Sequence, residues 1–179
     1  VHPLHPSAPD EVLYWGRVGG FSGIKLHFGS SVVDLDNPEH IAAIAAVFEA
    51  ANEVGLAIIA HVRTVSDFGP SEVAQIMDEF LSRAPDVPIQ LAHAGGWGSG
   101  YDVGTKHILE AFVSYIEDED PRSRNLYFDL SSVVRRDLNE VQGMDLVATM
   151  RRAGLQRFLI GTDFPGGGRP AQIEPLYRK

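Results

Sequence analysis

Lys25 and His27, His61 and Arg63, His93, Asp129 and Asp163 each lie in or just after an apolar stretch of strand length. Imidazole and carboxylate are the ligand types that suit zinc and similar divalent ions. A bound ion lowers the pKa of water and makes hydroxide available near neutral pH. His61, His93 and Asp163 each close a separate apolar run. A single histidine in such a place is ordinarily a hydrogen-bonded core residue. Three such groups after three runs point to shared chemistry. Asp163 could bind a metal, take a proton from water, or do both. Lys25 and Arg63 could hold a substrate carboxylate, with arginine offering a two-pronged fork. The competing reading is a salt bridge to a neighbouring acid such as Asp129. His27 reads as structural, Asp129 as part of a polar layer at the strand ends, and His40 and His107 as surface residues of helices.

Strands alternate with helices between these residues. Residues 23–28 (GIKLHF) read as a strand, and Lys25 and His27, two apart, share one face. Asn37 then caps a helix with Pro38 at its first position and Gly55 at its stop. Residues 57–62 (AIIAHV) form a continuous apolar run, as expected of a strand buried on both faces. Ser71 is the expected cap of the next helix, which carries Val73, Ile76, Met77 and Phe80. Residues 89–92 are the third strand and 105–116 a helix. Residues 117–120 (EDED) read as a solvated turn. Residues 126–130 are the fourth strand, 140–153 a helix and 157–161 the last strand. This order predicts a parallel α/β sheet with right-handed crossovers, whose chemistry collects beyond the carboxyl ends of the strands. No linker divides residues 1–179, so a single domain is expected.

The Gly-rich stretch 94–104 (AGGWGSGYDVG) lacks the Lys-Ser/Thr ending of a phosphate loop and the spacing of a dinucleotide fingerprint. It reads as an active-site loop with Trp97 or Tyr101 as a lid over substrate. Gly166, Gly167 and Gly168 read as flexible chain after the last strand.

Bulk properties narrow the partners. The net charge is −9 and the isoelectric point about 5.1. No run of Lys or Arg exceeds two residues. That balance argues against nucleic acid and anionic lipid, which need clustered positive charge. Cysteine is absent, which rules out disulfides and thiolate zinc sites. No segment has the length and apolarity of a membrane span. A small-molecule substrate and a cytoplasmic location are expected.

The pieces Gly23-Ile24-Lys25-Leu26-His27, Ile59-Ala60-His61, Leu91-Ala92-His93-Ala94-Gly95-Gly96 and Ile160-Gly161-Thr162-Asp163-Phe164-Pro165 resemble a known pattern. They are similar to the carboxy-terminal half of the amidohydrolase-related (amidohydrolase family 2) TIM-barrel enzymes, which include metal-dependent hydrolases, lactonases and decarboxylases. The resemblance implies a partial (β/α)8 barrel holding roughly strands 4 to 8. It implies His61 as the fifth-strand metal ligand. His93 becomes the sixth-strand histidine that handles water or substrate. Asp163 becomes the eighth-strand carboxylate, both ligand and base. Lys25 matches a fourth-strand lysine. It is not read as a carbamylated bridging ligand, because this branch commonly uses one metal. The metal is expected to be zinc, with manganese as the alternative.

The family's first-strand His-x-His is missing. His2 and His5 lie between prolines, which interrupt strand pairing, so this stretch reads as loop. A complete barrel takes about 250 residues. The amino-terminal strands are therefore expected to lie outside this sequence. Open sheet edges invite association, so a homo-oligomer or pairing with the missing half is expected. Three functions follow from the resemblance: hydrolysis of a small carboxylate- or ester-bearing substrate, nonoxidative decarboxylation on the same scaffold, or a non-catalytic binding or assembly module.

Overall fold

The computed structural model describes residues 1–163. Its five-stranded sheet comprises β1 (Gly23–His27), β2 (Ala57–His61), β3 (Ile89–Leu91), β4 (Leu126–Asp129) and β5 (Phe158–Leu159). Every neighbouring pair is parallel, and the order across the sheet is the order along the chain. A doubly wound sheet reverses its strand order at a switch point. This sheet never reverses, so it forms an arc of a partial (β/α)8 barrel, as the sequence predicts.

Helices α2 (Pro38–Val54), α3 (Pro70–Glu79), α4 (Val103–Glu117) and α5 (Glu140–Ala153) each link one strand to the next, and α1 (Ala8–Val18) precedes β1. Leu26, Ile58, Ala60, Leu91, Leu126 and Phe128 are fully buried between the strands and the helices. The alternate positions Lys25, Ile59, Gln90 and Tyr127 stay partly or fully open on the opposite face. Period-two alternation thus separates a packed side from an open one. On the packed side Phe48 stacks on Phe80 and Phe28 meets its edge, while Phe128 stacks on Phe158. Each such burial contributes roughly 1.5–3 kcal/mol.

Local chemistry sets the helix ends. Asn37 accepts a hydrogen bond from Glu39 N at 2.9 Å, and Gly55 stops α2 in the left-handed region at φ 72°. A cap of this kind is worth about 1 kcal/mol. Asn139 and Gln142 cap α5 reciprocally. Two starts differ from the sequence expectation. α3 begins at Pro70 with Gly69 as its N-cap, because Glu72 reaches back to accept from Gly69 N at 2.7 Å; Ser71 instead donates to Glu72. α4 begins at Val103, capped by Asp102 through Thr105 N. The acidic turn is partly tied down, since Glu117 pairs with Arg152 and Asp120 with Arg122.

α1 is the element that the sequence reading passed over. It buries only Ala8 and Val12 and leaves Tyr14, Trp15 and Val18 exposed. Its apolar period is therefore too sparse to announce a helix. β5 is also shorter than predicted. No described helix is long and apolar enough to cross a membrane. Phe164, Pro165 and the glycines at 166–168, which carried two of the sequence readings, lie outside the described residues.

Candidate active site

The parallel register levels the carboxyl ends of the strands. His27 is the register partner of His61, and their rings lie 4.1 Å apart, centroid to centroid. His93, two residues beyond the end of β3, brings its ring to 5.1 Å from that of His61. Three imidazoles from consecutive strands therefore form a row with His61 at its centre.

His61 is 6% exposed, and its Nε2 has no hydrogen-bond partner among the described residues. Burial pushes its pKa down to about 3, helped by the adjoining His27, His93 and Lys25. The ring is thus neutral at physiological pH, as a metal ligand must be. His27 is lowered too, first by burial and then by the Lys25 charge, and its Nδ1 accepts from Ser30 N at 3.1 Å.

His93 sits in a tight turn spanning Ala92–Gly95, with φ 55° at His93 and 52° at Ala94. Left-handed backbone at such residues costs on the order of 1–3 kcal/mol and persists only when its surroundings hold it. Asp129 accepts from His93 N at 3.3 Å, and the Ser131 carbonyl lies 2.8 Å from His93 Nδ1. A carbonyl only accepts, so Nδ1 carries a proton, and in the neutral ring the lone pair is then on Nε2. Gly98 lies beside that nitrogen; a Cβ there would stand 3.0 Å from Nε2.

Arg63 is 4% exposed, and its guanidinium is engaged within the protein. Nη1 donates to both Asp102 oxygens at 3.2 Å and Nη2 to the Ser66 carbonyl at 3.1 Å. The acid is Asp102 at the start of α4, not Asp129. Arg63 also lies 5.0 Å from the Trp97 ring centroid, a contact worth about 0.5–2 kcal/mol depending on desolvation. Gly104 packs closely on this guanidinium; a Cβ there would clash with Arg63 Nη2, so a larger residue would push the guanidinium aside. Trp97 stays partly exposed and meets His61 edge-on at 6.5 Å. Tyr101, the other lid candidate, is buried and donates to Asp145 on α5 at 2.9 Å, so of the two Trp97 alone stands over the histidine row.

Lys25 lies on the open face of β1. Surrounding protein lowers its pKa, against the opposing pull of Asp129 and Asp163. Asp163 is exposed at φ 51°, with Ser132 Oγ donating to it at 3.4 Å. Among the described residues His2 and His5 make local contacts, with Leu4 N and Ser7. Among the described residues no three His, Asp or Glu side chains gather closely enough to hold a metal. The orphaned Nε2 of neutral His61 nevertheless fits a metal donor; a full ligand set needs atoms beyond those described. The sequence reading missed Asp129 and Ser131 as the residues that hold His93. Their only local signal is the run Asp129-Leu130-Ser131-Ser132 after an apolar strand.

The amidohydrolase family model matches residues 2–174. The chain belongs to the amidohydrolase family. Among solved structures it is similar to an amidohydrolase from Burkholderia multivorans with bound zinc, at 15% identity and a TM-score of 0.58. That match covers 98% of this chain and 62% of the other. No curated protein matches the chain. At this identity the structural likeness shows the fold alone. It supports the amidohydrolase barrel arc and leaves the chemistry to the site.

The depressed His61 pKa fixes a pH dependence. Between about 3 and the ordinary 6.5, the unfolded chain binds a proton that folded His61 refuses. Stability contributed by the neutral ring is therefore complete above 6.5 and lost as pH falls through that window. Thermal unfolding should show a midpoint that drops from pH 7.5 to 5, and His61→Gln should flatten the drop without removing the share due to His27. Equal slopes in the two proteins would contradict this reading of His61.

Proposed function

We propose that this chain carries the carboxy-terminal part of the active site of a metal-dependent hydrolase that acts on a small organic substrate bearing a carboxylate or ester. The observation that supports this most is the buried, neutral, unpartnered His61 Nε2 at the mouth of the strands. His61 and Asp163 would hold a divalent ion, zinc in the first instance and manganese in the second, together with ligands from outside the described residues. Such an ion, when bound, supplies Lewis acidity toward a carbonyl and acidifies water.

The chain's own residues do the rest. His93, with its Nδ1 proton held by the Ser131 carbonyl, takes a proton from the attacking water at Nε2 and returns it to the leaving group. Asp163 stands as a second base. Lys25, open on the inner face, is the cation best placed to meet a substrate carboxylate. Arg63 acts one step back, holding the Trp97 loop against the start of α4. Trp97 covers the row and limits water. The same groups suit nonoxidative decarboxylation, with His93 or Asp163 protonating carbon. Carbon dioxide release without net addition of water would select that reaction over hydrolysis.

A second reading has its own support. The described residues contain no three-ligand cluster, as a non-catalytic barrel module would not. Elemental analysis of the purified chain separates the two. The enzyme reading expects zinc or manganese near one equivalent and at least a tenfold loss of affinity in His61→Ala, within the range seen when metal sites lose a supporting group. No stoichiometric metal, and no change on substitution, would favour the module.

We further propose that the chain associates, as a homo-oligomer or with polypeptide that completes the barrel, in the cytoplasm. β1 and β5 each pair on one side only within the described sheet, and open edges of this kind recruit partners. Light scattering should give a mass above 19.5 kDa; a stable monomer across a wide concentration range would count against association.

A further inference from the structure

A second buried polar group lies behind the histidine row. Asp129 ends β4, is 7% exposed, and takes no part in the proposed proton transfers or metal binding. Its two oxygens meet four donors. Oδ1 accepts from His93 N at 3.3 Å, from Ser131 N at 2.8 Å and from Ser131 Oγ; Oδ2 accepts from Gln90 Nε2 at 3.0 Å. A buried carboxylate is tolerated when it is saturated in this way.

The donors fall on both parts that must stay in register. One is the amide of His93, whose left-handed backbone has to be held. Two belong to Ser131, whose carbonyl receives the His93 Nδ1 proton at 2.8 Å and whose Oγ lies 3.2 Å from the same nitrogen. The carboxylate thus ties the backbone of His93 to the group that fixes its ring. The next residue extends the arrangement. Ser132 has φ 57°, donates to Asp163, and accepts from Gly100 N in the Trp97 loop at 2.9 Å.

We propose that Asp129 is a positioning residue that holds His93 in the Nδ1–H tautomer and keeps Nε2 free to accept a proton. Its role in turnover rests on the proposed function of His93; the tautomer itself does not. Asp129→Asn should preserve the arrangement. One amide oxygen can keep the three donors of Oδ1, and Gln90 can turn its own amide to offer oxygen to the new NH2. Asp129→Ala removes every acceptor.

Nitrogen-15 NMR of the imidazole rings of the full chain, at mildly alkaline pH and without metal, reads the tautomer directly. Wild type and Asp129→Asn should show His93 as Nδ1–H. Asp129→Ala should shift the Nδ1–H to Nε2–H ratio about tenfold toward the mixture of a solvent-exposed histidine, the scale of one net hydrogen bond. Should the alanine variant fail to fold, Asp129→Ser carries the same expectation, because its short side chain cannot reach all four donors. An Nε2–H tautomer in wild type, or an unchanged ratio in the alanine or serine variant, would overturn the proposal. So would failure of both replacements to fold, which would make Asp129 a requirement of the fold. Since the spectrum needs neither metal nor turnover, it can fail while the metal reading stands, and the reverse.

Discussion

The packing of His61 between His27 and His93 constrains everything around it. His61 lies 4.1 Å from the His27 ring and 5.1 Å from the His93 ring, centroid to centroid, and of these it is the ring least able to carry charge beside Lys25. Burial is the largest penalty on a charged central ring, and Lys25 adds a third source of repulsion to those of His27 and His93. The favoured state is a neutral His61, whose buried Nε2 has no hydrogen-bond partner among the described residues. The parallel register creates this crowding, because in-register pairing puts the last residue of β1 beside the last residue of β2.

Around that row the protein uses its polar groups as supports. Arg63 and Asp129 are both nearly inaccessible, yet neither is left uncompensated. Removing one partner from a buried charged group is far costlier than the net worth of the pair. That asymmetry explains why each charge is surrounded by several acceptors or donors rather than one. Arg63 joins β2, the start of α4 and Trp97. Asp129 joins β3, the turn carrying His93, and the segment that follows β4. Together they hold a strained turn and a glycine-rich loop that have little regular structure of their own.

Much of this was legible in the sequence, and the rest was not, for a physical reason. Apolar runs ending in His61 and His93 announced strands with polar residues at their carboxyl ends, because burial on two faces leaves a local signature. Asn37, Pro38 and Gly55 marked α2 because caps act within a turn of the chain. α1 left no such signature, since few of its residues are buried. The roles of Arg63 and Asp129 depend on partners 34 to 39 residues away. No local periodicity encodes such a contact. For the same reason nothing near Asp102 marks it as the partner of Arg63.

Anomalous diffraction at the zinc edge, from crystals of the chain grown with zinc, tests the central claim most directly. The account predicts a peak about 2.0–2.1 Å from His61 Nε2, the usual zinc–imidazole distance. A peak bound elsewhere, with His61 Nε2 instead hydrogen-bonded to protein, would contradict it.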